Sequence, residues 1–281
     1  MTEPWLLIDV SNMAYRALYT TGDLSYGGEA TGVLYGIFRD IIQFCDLFGT
    51  HRIAFCFDGG IDFRLNIFDG YKAARKQRRL ECDDEEMAAR REFRRQLYRL
   101  RTKHLPAAGF RNVFYQEGYE ADDILAAIVE QHLKEEFVVV SSDQDLYQLL
   151  SGSRVIIYNP MSNKSISQQW FEEQFGIGPS MWAHVKAIAG CSGDDVPGIK
   201  GVGEKTAAKY LAGTLKNTTK AWQSINSNNP LIERNLTLTR LPAPGCGPFE
   251  LHDDVADGAA WDRLMIGLGM KSLVGRRGQH G

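Results

Sequence analysis

The feature that most constrains this chain is a pattern repeated along its first half: a short apolar run that ends on aspartate. Trp5-Leu6-Leu7-Ile8-Asp9 does this, and Arg52-Ile53-Ala54-Phe55-Cys56-Phe57-Asp58 repeats it ahead of Gly59-Gly60. Phe137-Val138-Val139-Val140-Ser141-Ser142-Asp143-Gln144-Asp145 ends on two. Continuous apolar runs of this length suit strands buried on both faces, as in a parallel sheet. Arg111–Tyr115 and Val155–Tyr158 read as further strands. Between them Ser11 or Asn12 is expected to cap a helix carrying Tyr15 and Arg16, and residues 20–31 read as a loop. Thr31 opens a helix through Phe48, with Val33, Ile37, Ile41 and Phe44 or Cys45 on its inner face. Strands alternating with helices predict an α/β fold, a mainly parallel sheet flanked by helices. Sites in such sheets form at the carboxyl ends of the strands, where Asp9, Asp58, Asp143 and Asp145 fall.

The stretch Gly118-Tyr119-Glu120-Ala121-Asp122-Asp123 adds three more carboxylates just beyond another strand. Acidic residues in a helix's first turn are ordinary, because they complement free N–H groups and the positive end of the dipole. Gathered with the strand-end aspartates, they concentrate negative charge, which raises carboxylate pKa values and destabilises a fold unless a cation compensates. An all-oxygen, carboxylate-rich set suits Mg²⁺, with Mn²⁺ able to substitute. Two such ions can activate water and stabilise a leaving oxygen, so phosphodiester hydrolysis is the natural reaction class. A glycosidase needs only two carboxylates. A phosphatase with a nucleophilic Asp would want DxDxT, which Asp9-Val10-Ser11-Asn12 does not supply.

A net charge of −3 would argue against nucleic acid, but it hides a basic segment. Between Lys72 and Lys103 there are twelve Lys or Arg against six Asp or Glu. Phe63-Arg64 and Tyr71-Lys72-Ala73-Ala74-Arg75 lead into Lys76, Arg78 and Arg79; past an acidic interruption at 81–86, Arg90/Arg94 and Arg91/Arg95/Arg99 recur at helical spacing. Phe93, Leu97 and Leu100 form the opposite face. Cations interleaved with aromatics describe a channel that follows a single strand by charge and stacking. Farther on, helical patterns over Gln168–Phe175 and Ser180–Ala189 precede Pro197-Gly198-Ile199-Lys200-Gly201-Val202-Gly203-Glu204-Lys205-Thr206-Ala207. Its glycines let backbone approach phosphate, and the helix start after Gly203 offers N–H groups, which suits gripping a duplex without reading bases. The spacing is not that of an ATP-binding loop.

The five cysteines are scattered with no CxxC pair, so reduced thiols, a cytoplasmic protein and no zinc site are expected. No segment has the apolar length to cross a membrane, and no basic region precedes an apolar run at the N-terminus. A Pro/Gly-rich loop at 242–248 and a basic end at Arg276-Arg277-Gly278, expected to fray, mark the tail.

Taken in order, these motifs resemble the flap endonuclease/5′-nuclease family, in particular the 5′-3′ exonuclease domain of bacterial DNA polymerase I and its stand-alone bacterial and phage relatives. The matching stretches run from about Leu7 to Leu211. The resemblance implies a PIN-like nuclease core over 1–165 with a helical arch near 71–106, then a helical DNA-binding region over 166–281 with a helix-three-turn-helix hairpin at 190–212. By carry-over, Asp9, Asp58, Glu120 and Asp122 serve a first metal, with Asp123 behind or bridging. Asp143, Asp145 and Asp194 serve a second, and Asp195 is a further candidate. Lys72 and Arg75 would reach the scissile phosphate. Arg64, Tyr71, Arg79, Gly198, Lys200, Gly201, Gly203, Lys205 and Thr206 would contact DNA, and K⁺ could sit on backbone oxygens of the 197–203 turn. The implied partner of this monomer is DNA with a 5′ flap, gap or branch, or an RNA–DNA hybrid, met in replication and repair. One departure stands out. Where the family commonly has Gly-Asp-x-x-Asp-Asn, this chain has Gly190-Cys191-Ser192-Gly193-Asp194-Asp195. A soft sulfur is a poor partner for Mg²⁺, so either Asp195 partly compensates through water or the second ion binds weakly. The alternative is a DNA-binding protein with weakened or lost catalysis.

Overall fold

The structure is a computed structural model that describes residues 3–254 and 257–276. The strand order across the main sheet is Val113–Tyr115, Ile53–Phe57, Trp5–Asp9, Phe137–Val140, Val155–Asn159 and Lys164–Ile166. All neighbours pair in parallel except Lys164–Ile166, an antiparallel edge strand that the sequence reading had not included. The mainly parallel α/β sheet flanked by helices is therefore as expected. Trp5–Asp9 and Ile53–Phe57 are buried along their whole length, as apolar runs sandwiched between helical layers must be.

Side chains alternate between two cores with the period of a strand. Leu6, Ile8, Phe55, Val138 and Val140 face the helices Val10–Thr21 and Gly32–Phe48, joined from the far end of the chain by Trp261 and Met265 of Gly258–Gly267. Leu7, Ala54, Val139 and Ile157 face the helix Ala121–Gln131. That second core continues without interruption into Trp182, Val185, Ile199 and Ala207, so the helices after residue 166 rest on the sheet itself.

Local boundaries differ in instructive ways. Asp9, not Ser11 or Asn12, caps the first helix, accepting a hydrogen bond from the Asn12 amide at 3.0 Å. The expected loop at 20–31 contains the end of that helix and a small antiparallel hairpin, Ser25–Tyr26 with Glu29–Ala30. The basic segment forms two helices, Ala73–Leu80 and Asp84–Arg99, followed by a π-helical turn at Leu100–His104. The acidic interruption at 81–86 now has a cause: Asp83 accepts from the Glu86 amide at 2.8 Å and Asp84, Glu85 and Glu86 fill the first turn of the second arch helix. The basic tail from Arg277 onward lies outside the described residues.

Candidate active site

Because the first, second and fourth strands in chain order are parallel, their carboxyl ends deliver Asp9, Asp58 and Asp143 to one side of the sheet. There they line an open cleft of about 470 Å³ together with Glu120, Asp122, Asp145, Cys191 and Asp194. Asp9 is the most constrained of them. Its Oδ1 caps the first helix, and its Oδ2 accepts from Ser141 Oγ at 2.8 Å. Burial, then the charges of Asp58 and Asp143, push its carboxyl up to about 7 despite those hydrogen bonds. Asp58 accepts from the Ala121 amide at 2.8 Å and from the Ser11 hydroxyl. Asn12 locks the floor, donating to Ser142 Oγ at 2.7 Å and accepting from the Ser142 amide at 3.2 Å. Ser11, Asn12 and Ser141 therefore belong to the site, though their side chains gave no distinctive signal in the sequence.

The opening of the helix Ala121–Gln131 forms the adjoining wall. Burial and the charges of Asp143, Asp9, Glu120 and Asp58 hold Asp122 far above the usual carboxylate range. Glu120 goes the other way: burial raises it, but Lys72 and Arg64 more than offset this and hold it low. Three expectations are corrected here. Asp123 lies behind the site and does not bridge ions, because it is 0% exposed and its two oxygens already accept from Arg64 at 2.6 and 2.9 Å, from the Ala243 amide at 2.9 Å and from the Glu120 amide at 3.2 Å. Arg64 is not a DNA contact: at 3% exposure it is spent on Asp123 and on the Leu238 carbonyl at 2.9 Å, standing behind Glu120. Tyr71 lines the cleft but is largely buried in its wall, its hydroxyl donating to Glu120 Oε2 at 2.7 Å. The motif Phe63-Arg64 is a brace for the acidic wall.

The opposite wall is built on less regular backbone. Asp143 caps the short 3-10 helix Gln144–Leu149 by accepting from the Asp145 amide at 2.8 Å, and burial with the Asp145 charge raises its carboxyl. Asp145 pairs with Lys186 Nζ at 2.9 Å, and Cys191 Sγ lies 4.0 Å from its other oxygen. Asp194 faces Arg75 at 3.2 Å and Lys72 at 3.4 Å; burial raises its carboxyl against the pull of both. Asp195 is a fourth correction. It adopts a left-handed conformation at φ 58° and accepts from the Ala74 amide at 2.8 Å, turned to the base of the arch and away from the cleft. It does not make good the carboxylate missing at Cys191. Lys186 was missed, although a lone lysine among Trp182, Ala183, Val185, Ala187 and Ile188 is a signal, since a buried ammonium needs partners.

A segment from much later in the chain joins these walls. Leu238 takes Arg64, Ala243 donates to Asp123, and Gln148 donates to the Thr239 carbonyl at 3.1 Å while accepting from the Leu241 amide at 2.9 Å. Gln148 lies in the 3-10 helix capped by Asp143, so residues 238–243 are hydrogen-bonded to both sides of the cleft.

Lys72 heads the first arch helix in a left-handed conformation at φ 54° and pairs with Glu120 at the cleft rim. Arg75, Arg78, Arg79 and Arg90 of the basic segment also line the cleft, joined by Tyr15 of the first helix. Farther along the arch, Arg95 and Arg99 are engaged by Glu29 of the small hairpin at 3.5 and 2.5 Å, and Phe93 meets Tyr15 at 5.0 Å between ring centroids. These contacts dock the second arch helix on the body.

The turn at 197–203 leads into the helix Glu204–Leu211, which Gly203 caps. Gly198 fits only as glycine, since a Cβ there would stand 2.0 Å from the Ala189 carbonyl oxygen. Gly201 has φ +79° with open space around it, and Lys200 and Lys205 are exposed beside it while Thr206 is half-buried.

Among the described residues no three Asp, Glu, His or Cys side chains yet converge to hold an ion. The donor set nevertheless fits one. Asp9, buried, Asp122, half-buried, and Asp143, at the open edge, are oxygen donors set against one another's charge, a condition that a hard divalent cation relieves. The nearest positive groups now beside the cluster, Lys72 and Lys186, partner Glu120, Asp194 and Asp145 and leave those three strained.

Comparison with known proteins agrees with this geometry. The pattern for the 5′-3′ exonuclease, N-terminal resolvase-like domain, matches residues 4–176. The thermostable DNA polymerase I of Thermus thermophilus is 31% identical over 230 residues, which is 80% of this chain and 26% of the polymerase. The chain thus spans about a quarter of that relative's length. Bacteriophage T5 5′-exonuclease with zinc bound superposes with a TM-score of 0.72 at 23% identity, covering 85% of this chain and 90% of that one. The T5 flap endonuclease in a complex with DNA and metal ions gives 0.71 at 22% identity, covering 85% and 89%. These two likenesses carry the fold.

Proposed function

The chain belongs to the 5′-3′ exonuclease family, and on that premise we propose that it is a divalent-metal-dependent, structure-specific 5′ nuclease that hydrolyses phosphodiester bonds in DNA bearing 5′ ends or flaps. The observation that carries this reading is the single cleft that gathers Asp9, Asp58, Asp122, Asp143, Asp145 and Asp194 under a rim of Lys72 and Arg75. Bound divalent ions, Mg²⁺ by donor hardness and Mn²⁺ in its place, supply a Lewis acid and an activated water. The chain's own groups do the rest. The hydrogen bonds from Ser11, Ser141 and the Asn12 and Ala121 amides aim Asp9 and Asp58 without cancelling their charge. Lys72 and Arg75 give the phosphate oxygens charge-assisted partners at the arch base, where negative charge grows as the bond breaks. Arg78, Arg79 and Arg90 draw the single strand to the cleft, and the turn at 197–206 holds the duplex backbone through amides, Lys200 and Lys205.

A labelled 5′-flap duplex tests the reading. Cleavage at the junction with Mg²⁺ or Mn²⁺, and binding without cleavage in Ca²⁺ or EDTA, is expected. Binding with no cut under any metal would favour the non-catalytic DNA-binding alternative, and neither binding nor cutting would remove both.

A further inference from the structure

We propose that Lys186 is a positioning residue that supplies the fixed positive charge of the second wall, so that the DNA-free protein binds one divalent ion strongly and a second weakly. This rests on the nuclease reading above and goes beyond it by naming a built-in cation. Lys186 lies within the helix Trp182–Ala189, is 9% exposed, and reaches Asp145 Oδ1 and Glu204 Oε1, each at 2.9 Å. Its ammonium also stands 5.4 Å from the Trp182 ring centre, so the stem is packed along its length. On the other side of Asp145, Cys191 presents a thiol at 4.0 Å. Asp145 is therefore bounded by an ammonium on one oxygen and a neutral, soft sulfur near the other. Neither offers a hard cation an oxygen ligand.

The contrast with Lys72 sharpens the point. Lys72 starts the arch, has left-handed backbone and pairs with Glu120 from the cleft rim. The Lys186 ammonium is held by two carboxylates, Asp145 in the cleft and Glu204, the first residue of the helix Glu204–Leu211. An ion that takes Asp145 meets an ammonium on that same carboxylate, held there by Glu204 as well. Repulsion between the two cations then weakens the second ion in proportion to how firmly Lys186 is held.

Mn²⁺ titration of the full chain without DNA, followed by the loss of free-ion electron paramagnetic resonance signal, reads this directly. The unsubstituted protein is expected to show one tight and one weak ion. Lys186→Met should tighten the weak ion by roughly tenfold or more, about 1.4 kcal/mol. Lys186→Arg should keep the original isotherm. Glu204→Gln, at a more accessible position, should weaken the second ion further by leaving Lys186 wholly to Asp145. Two equally tight ions in the unsubstituted protein, or a second ion unmoved by both Lys186→Met and Glu204→Gln, would overturn the role given to Lys186 while leaving the nuclease reading in place. Absence of any bound Mn²⁺ in every variant would overturn both.

Discussion

The two walls of the cleft are acidic to a similar degree but hold their charge by different means. On the side of Asp9, Asp58 and Asp122 the partners are neutral, hydroxyls, backbone amides and a helix start, while Glu120 beside them meets Lys72 and Arg64. On the side of Asp145 and Asp194 the partners are cations, Lys186, Lys72 and Arg75, and Cys191 interrupts the row. A neutral donor orients a carboxylate and leaves its charge available, whereas an ammonium cancels it. The first wall is consequently the one that demands an ion, and the second is partly satisfied by the protein.

The largest effect expected from this comparison is structural. Arg64→Met leaves Asp123 buried behind the first wall with two backbone amides but no counter-charge, and should destabilise the protein by about 3–5 kcal/mol in urea denaturation. A loss below about 1 kcal/mol would mean that the pair does not brace the wall. Next, Asp122→Asn should lower flap cleavage by roughly 10²–10³-fold with flap affinity retained. Loss of folding with that variant would return Asp122 to a purely structural role. On the second wall, Cys191→Asp should reduce the Mg²⁺ concentration for half-maximal cleavage by about tenfold, because it adds an oxygen donor beside Asp145; an unchanged titration would sink the idea that the two walls differ in ion affinity.

The smallest effect concerns pH. Burial and neighbouring carboxylates raise Asp9 to about 7, and Asp122 and Asp143 shift in the same direction. The folded protein then binds protons that the unfolded chain has released, so this contribution is complete below the ordinary carboxylate range and is lost as pH rises toward about 7. In EDTA the melting temperature should fall by about 2–4 °C for each kcal/mol lost on going from mildly acidic to neutral buffer, and Mn²⁺ should restore more at the higher pH. A metal-free melting temperature that is flat across that range would break the asymmetry.

Much of this site was legible because its signals are local. A strand that ends on Asp declares both its direction and the side of the sheet that matters, so Asp9, Asp58 and Asp143 could be assigned to one cleft before any coordinates. The parallel sheet followed from the same runs. What escaped was set by partners distant in sequence. Arg64 and Asp123 are both charged and both sit in motifs that suggest function, yet 59 positions apart they neutralise each other in the interior. Tyr71 looked like a stacking residue because sequence does not reveal that its hydroxyl faces Glu120. Asp195 resembled a spare ligand until the left-handed backbone turned it to the arch. Lys186 had a readable signal in its apolar helix, but its partners Asp145 and Glu204 come from two other elements.

Residues 238–243 give the cleft something that none of its acidic residues supplies, a hydrogen-bonded link between its walls. Through Arg64, Asp123 and Gln148 this short piece spans the gap, and it belongs to neither wall. The region that defines the family, residues 4–176, carries every carboxylate of the site except Asp194, but it does not carry this link. Recognition of the fold and competence of the site are thus written in different parts of the chain. Sequence change near Leu241 can alter the separation at which two ions would sit without touching a single ligand.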